Sequence, residues 1–188
     1  MADHYLTGVN TGPDQGSYLI ARPRVGTGIF ARSVVYIAQC NARSTTGFIL
    51  SHPTEFTVND LAAAAGLTPT EAGAGTTLYR GGPVNNNTVY LLHTTDYRTA
   101  QTEITGGFFD YTSDRSTVET LLSSQQPRIS RVLLGCAVWA PGQLEREIQE
   151  RRWIACDLPV DVVFAADARD LYDRSVRAAA EQVFTRWF

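Results

Sequence analysis

Between Ser17 and Phe164 the apolar residues of this chain fall in short blocks, separated by glycine, proline, asparagine and serine. "SYLIARP" predicts a short strand that stops at Pro23, because proline has no N–H for a sheet ladder. "RSVVYIAQC" (Arg32 to Cys40) and "TTGFILS" (Thr45 to Ser51) are β-branched and aromatic, and predict paired strands around a turn at Asn41 to Ser44. "TTLYR" and "TVYLLHTT" flank "GGPVNNN", which reads as two strands around a long loop. "TEITGGFFDYT" reads as one more strand with a bulge at Gly106–Gly107. "SRVLLGCAVWA" is a continuous apolar run and should be the most buried strand; "PVDVVFAA" reads as the last strand.

Helical spacing is confined to fewer places. Thr57 stands three residues before Asp60 and opens "VNDLAAAAG", a capped helix stopping at Gly66; Ser116 with Glu119 makes a second capping box before "VETLLSS". In "PGQLEREIQERRW", Pro141 suits a first turn, Glu145 and Glu147 suit the positive end of the helix dipole, and Arg151 and Arg152 suit the last turn. Glu147 and Arg151 are spaced for an i,i+4 pair, and Leu144 with Ile148 forms a narrow apolar stripe. From Asp167 onward Tyr172, Val176, Ala179, Val183 and Trp187 recur at helical spacing. Strands in groups with few helices between them predict an α+β protein of one domain, residues 16–188, behind a loose polar lead-in over residues 1–15.

Composition narrows the chemistry. The 188 residues carry a net charge of −3, so no large phosphate-binding face, and no direct nucleic-acid binding, is expected. All 16 basic residues are arginine, which excludes Schiff-base catalysis and a P-loop lysine. Three cysteines without CxxC spacing predict neither a disulfide framework nor a zinc site, and fit a reducing compartment. No secretory signal and no apolar run of membrane-spanning length is visible, so the expectation is a cytoplasmic protein that does not engage the membrane, with no cofactor and no metal.

Individual motifs are weak. "GTGIFA" matches a dinucleotide fingerprint only formally, since a strand-like segment follows it rather than a helix. His4, His52 and His93 have no metal-ligand spacing; His93, at the end of an apolar strand, is the one histidine worth considering as an acid or base. No GxSxG elbow is present. Cys40, at a strand end near Arg43, is the candidate reactive thiol, whereas Cys136 belongs to the core. "YRGGPVNNN" has the most unusual composition: paired glycines allow close backbone approach and asparagines supply donors and acceptors, either for a ligand or for a tight connection.

Three segments in order, "GSYLIARPRVGTGIFARSVVYIAQCNARSTTGFILSHP", "LYRGGPVNNNTVYLLHTTDY" and "GCAVWAPGQLEREIQERRWIAC", resemble the AlgH/YqgE family of small bacterial proteins. The resemblance implies a mixed, branched β-sheet curled into a pseudo-barrel with flanking helices. Some members carry a transcriptional-regulator label from genetic links to alginate production, and their biochemistry is uncharacterised. This chain departs from the family pattern at Cys40, where a histidine is usual, and at Ser51-His52-Pro53, where an Asn-Arg-Pro-like ending is usual.

The expectation is therefore a regulatory or binding protein that engages a small ligand or a protein partner. Its surface would comprise Gly81, Gly82, Pro83, His93, Trp139, Gln143 and Glu145, with the Trp139–Glu145 turn near the Gly81–Val84 loop and Gln143 facing a shared cleft. The alternatives are a hydrolase or transferase using His93 with Glu145 or Glu147, and a thiol redox role for Cys40.

Overall fold

Residues 13–23, 28–113, 116–123, 126–164 and 167–184 are described by a computed structural model. Its strands are β1 (Tyr18–Ala21), β2 (Val34–Cys40), β3 (Thr45–Ile49), β4 (Pro53–Thr57), β5 (Thr77–Arg80), β6 (Val84–Thr94), β7 (Thr102–Glu103), β8 (Phe109–Thr112), β9 (Ser130–Trp139) and β10 (Trp153–Cys156). The helices are α1 (Val58–Ala64), α2 (Glu71–Ala74), α3 (Ser116–Leu122), α4 (Gln143–Gln149), α5 (Val160–Phe164) and α6 (Leu171–Phe184). Local chemistry sets several of these limits. The Asn41 side-chain oxygen accepts from the amides of Arg43 (2.9 Å) and Ser44 (3.2 Å), which closes the β2–β3 hairpin. The Thr57 amide donates to the Asp60 carboxylate at 2.6 Å and starts α1, and Gly66 ends it at φ +72°.

The main path of the sheet runs β10-β1-β2-β3-β9-β6-β8-β7, with antiparallel neighbours throughout. β5 joins β9 in parallel and carries β4 beside it, so the sheet is mixed and branches at β9. The branch follows from the registers. Val132 to Leu134 of β9 face β5 on one edge and β6 on the other, while Ala137 to Trp139 pair with β3. Both faces of the central strands are covered. On β2, Val34, Tyr36 and Ala38 enter one apolar cluster, and Val35 and Ile37 enter a second on the opposite face. A third cluster, including Leu78, Leu91 and Val132, lies under Val58 of α1 and Leu121 of α3.

One buried cation ties the layers together. Arg131 is 6% exposed and lies between the rings of Tyr79 (4.5 Å) and Phe164 (4.7 Å), donating to the carbonyls of Leu50 and Val163. Burial lowers its pKa, and the aromatic faces and carbonyls supply the negative potential that a carboxylate would otherwise give.

Several expectations are corrected. "GGPVNNN" is not a long loop: β6 begins at Val84, and β5 and β6 flank β9 instead of pairing with each other. Gly106–Gly107 is no bulge but part of the turn between β7 and β8. "PVDVVFAA" contains α5 rather than a strand, because Val160, Val163 and Phe164 reach the core at helical spacing; five residues are too few for periodicity to separate the two readings. The last strand is β10, and neither β10 nor β4 is expected from the pattern. In α6 the buried positions include Leu171, Tyr172, Ser175 and Ala179, while Val176 is 37% exposed. Arg151 and Arg152 lie beyond α4, and Arg152 pairs with Glu150 at 2.8 Å; the expected Glu147–Arg151 pair is not formed. His4, Gly26, Thr27, Trp187 and the side chain of Val183 lie outside the described residues.

Candidate functional site

The glycine pair that drew attention in the sequence has a topological task. Arg80 pairs with Leu134 on one edge of β9, and Val84 pairs with Cys136 on the other edge. Two strand spacings are about 10 Å, and the four residue steps from Arg80 to Val84 reach about 13 Å, so the chain must cross directly over the β9 backbone. A Cβ on Gly82 would lie 2.1 Å from the carbonyl carbon of Cys136, and one on Gly81 would lie 2.2 Å from the oxygen of Gly135. The Gly81 amide donates to Leu134 (2.7 Å) and its carbonyl accepts from Ile49 (2.8 Å). The close approach that the glycines allow is thus to the protein's own strand. Pro83 is exposed at the end of the crossing, and Val84 beside it is 37% exposed.

Three residues on from Cys136, Trp139 belongs to a different cluster. The Glu147 carboxylate accepts from both indole N–H groups, Trp139 at 3.1 Å and Trp153 at 2.8 Å, and from the Gln143 amide at 2.9 Å. The Gln143 oxygen accepts the Ala140 amide at 3.0 Å. Trp139 and Trp153 are each 3% exposed and pack against Phe30. Gln143 therefore fixes the turn into α4 and orients Glu147, which closes the polar side of an otherwise apolar cluster. Glu145 is exposed on α4.

His93 lies on β6 and is wholly buried. Its Nδ1 is 3.0 Å from the Thr94 carbonyl, which can only accept, so Nδ1 carries the proton; Nε2 then accepts from the Thr112 hydroxyl at 2.9 Å. Burial is the main cause that pushes its pKa down, with the bond to Thr94 and the charge of Asp110 opposing. His93 pairs with Ser130 at the start of β9, and Trp139 ends the same strand. Nine residues of strand place the two on the order of 25–30 Å apart. The fold does not bring His93 to Glu147.

The cysteines divide by burial. The Cys40 thiol is half-buried and donates to the Pro13 carbonyl at 3.2 Å, with the Thr45 hydroxyl 3.4 Å away. Cys136 is buried, and burial raises its thiol pKa; burial pushes Cys156 up to about 12, reinforced by Asp157. Among the described residues no group of three or more His, Cys, Asp or Glu side chains could hold a metal ion.

The open feature next to the crossing is one that the motifs did not single out. His52, Pro53, Thr54, Glu55, Phe56 and Arg80 line a cleft of about 360 Å³. β4 pairs with β5 at Pro53↔Tyr79 and at Thr57↔Thr77, so four steps of one strand oppose two of the other and Thr54–Phe56 bow outward. The Thr54 hydroxyl holds the bow, donating to Leu78 at 2.8 Å and accepting the Phe56 amide at 3.2 Å. Phe56 is 52% exposed, and neither Glu55 nor Arg80 has an ion-pair partner among the described residues. The His52 ring bonds the Ala31 carbonyl at 3.1 Å; burial lowers its pKa, and the charge of Arg80 lowers it further. A sequence signal was present: a lone Phe in the polar run "HPTEFT", and an Arg directly before the glycine pair. A second cleft of about 240 Å³, lined by residues such as Leu67, Asn87 and Val118, opens between α1, α3 and β6.

Residues 18–183 match the model of the AlgH-like family. The chain is similar to a UPF0301 protein of Rhodopseudomonas palustris, 33% identical over 184 residues and covering 89% of this chain and 84% of the relative. A UPF0301 protein of Bradyrhizobium diazoefficiens is 31% identical over 172 residues, covering 86% and 80%. Among solved structures, the solution structure of the AlgH protein from Pseudomonas aeruginosa superposes with a TM-score of 0.74 at 24% identity, over 90% of this chain and 88% of that one. The crystal structure of a Corynebacterium diphtheriae protein gives 0.70 at 24% identity, over 91% and 89%. These two likenesses bear on the fold alone.

Proposed function

We propose that this chain, which belongs to the AlgH-like family, is a binding protein whose ligand or partner group occupies the cleft beside the Arg80–Gly82 crossing. The observation that carries this reading is the contrast in how polar groups are used. His93, Gln143 and Glu147 are engaged in internal hydrogen bonds, whereas Phe56, Glu55 and Arg80 face one cleft on a bow held by the sheet. A rigid scaffold that presents an exposed aromatic ring and charges without an ion-pair partner among the described residues suits recognition. A regulatory use of that recognition, in the cytoplasm, belongs to the same proposal.

Titration of the ¹⁵N-labelled chain with a pool of small organic acids, amines, amino acids and neutral aromatic compounds tests it. Amide shifts should cluster on residues 52–56 and 80–82. Phe56→Ser and Arg80→Gln should remove them while leaving Tm unchanged within a few degrees, as expected of surface substitutions. Shifts that instead cluster on Leu67, Asn87 and Val118, or no shifts with any compound, overturn the proposal.

A further inference from the structure

The cleft between β4 and β5 carries its own statement about charge, resting on the reading that it is a binding site. Two of its neutral side chains already have partners: the Thr54 hydroxyl has Leu78 and the Phe56 amide, and Nε2 of His52 bonds Ala31. Arg80 and Glu55 remain. They line the same cleft with opposite charges, yet they do not pair with each other, and neither pairs elsewhere among the described residues. Both side chains are exposed, and a neutral apolar occupant resting on them would displace part of their water without giving either a counter-charge. A dianion such as phosphate would satisfy Arg80 and face the Glu55 carboxylate. An occupant with one carboxylate and one ammonium gives each side chain its counter-ion, and the planar guanidinium fork matches a carboxylate in a two-bond arrangement.

The half-exposed Phe56 ring supplies an apolar face for the remainder of the ligand. At about 360 Å³ the cleft lies near the small end of ligand sites, which admits a compact molecule and not a large cofactor. We infer that the cleft recognises a small zwitterion, an α-amino acid with an apolar side chain, its carboxylate on Arg80, its ammonium on Glu55 and its side chain on Phe56.

Calorimetric titration of the full chain with three probes tests this: phenylalanine, phenylalanine amide (no carboxylate) and N-acetylphenylalanine (no ammonium). Phenylalanine should bind at least tenfold more tightly than either blocked probe. Arg80→Gln should erase the preference over the amide, and Glu55→Gln the preference over the acetyl compound. Equal binding of the acetyl compound, equal binding of the amide, or no binding of phenylalanine overturns the zwitterion inference. Because the wild-type comparison needs no variant to fold, it stands whatever the substitutions do. If compounds of another charge class still shift residues 52–56 and 80–82, the inference fails alone; if nothing shifts those residues, the binding role proposed for the cleft fails with it.

Discussion

His93 shows how a residue chosen for its chemistry becomes a part of the frame. It ends an apolar strand, so a sequence reading can place it near the surface, but pairing with Ser130 and Asp110 buries it completely. Nδ1 donates to a carbonyl and Nε2 accepts a hydroxyl, so the neutral ring is matched, and burial disfavours the charged one. His52 is also shifted down, by burial and then by Arg80. A histidine whose pKa is lower folded than unfolded binds fewer protons in the native state, so stability is full above the ordinary histidine value of about 6.5 and falls as pH drops below it, until the folded pKa is passed. Unfolding free energies from urea titrations between pH 7.5 and 5 should therefore decline, at most about 1.4 kcal/mol per pH unit for each histidine. A His93→Asn variant, less stable overall, should show a shallower decline. A flat profile for the wild type would mean that His52 and His93 are not held neutral.

At the scale of elements the crossing at Gly81–Gly82 is the feature on which the branch depends. β5 and β6 can occupy opposite edges of β9 only if the connecting residues lie against its backbone, where no Cβ fits. Gly82→Ala should lower stability by about 3 kcal/mol or more, since backbone and not a yielding side chain is in the way. Gly75→Ala, at a helix end with φ −81° and only an ordinary contact, 3.9 Å to the Ala72 oxygen, for the added Cβ, is the control and should leave Tm within a few degrees. A Gly82→Ala protein as stable as the control would show that the crossing is looser than described. The motif "GGPV" was conspicuous in the sequence, yet its composition suits a ligand loop and a strand crossing equally. The registers of β5 and β6 decide between them. The block after Trp139 behaves in the same way: dipole and pair rules explained its charges one by one, but the convergence of two indoles on Glu147 needed β9 and β10 to be placed.

For the molecule as a whole, charge bears on partners. A net charge of −3 spread over a chain with no lysine offers little to a polyphosphate, and Arg80 shares its cleft with the Glu55 carboxylate. The protein should bind duplex DNA no better than micromolar at physiological salt, the range of weak non-specific association. A fluorescence anisotropy titration with a labelled duplex checks this; nanomolar binding that falls steeply with added salt would contradict it. The described helices include none long and apolar enough to cross a membrane. The family that the three segments resembled is the one to which residues 18–183 belong, because widely spaced motifs in fixed order report a topology even when each is weak alone.

What the sequence determined by itself was local. Turn chemistry at Asn41, the Thr57–Asp60 cap, the Pro23 stop and the burial of β9 are set by residues close in the chain, whose spacing can be read directly. The α+β class followed from how the strands come in groups with few helices between them. The tertiary structure alone decided which edge each strand takes, and therefore that β9 serves three partners and that Gly81–Gly82 must cross it. It also turned "PVDVVFAA" into α5, because the core lies to one side of Val160, Val163 and Phe164. The assembly of the cleft belongs to that level. Phe56 and Arg80 are far apart in sequence and meet because β4 bows away from β5, and a bow is a mismatch between two registers that neither strand contains on its own.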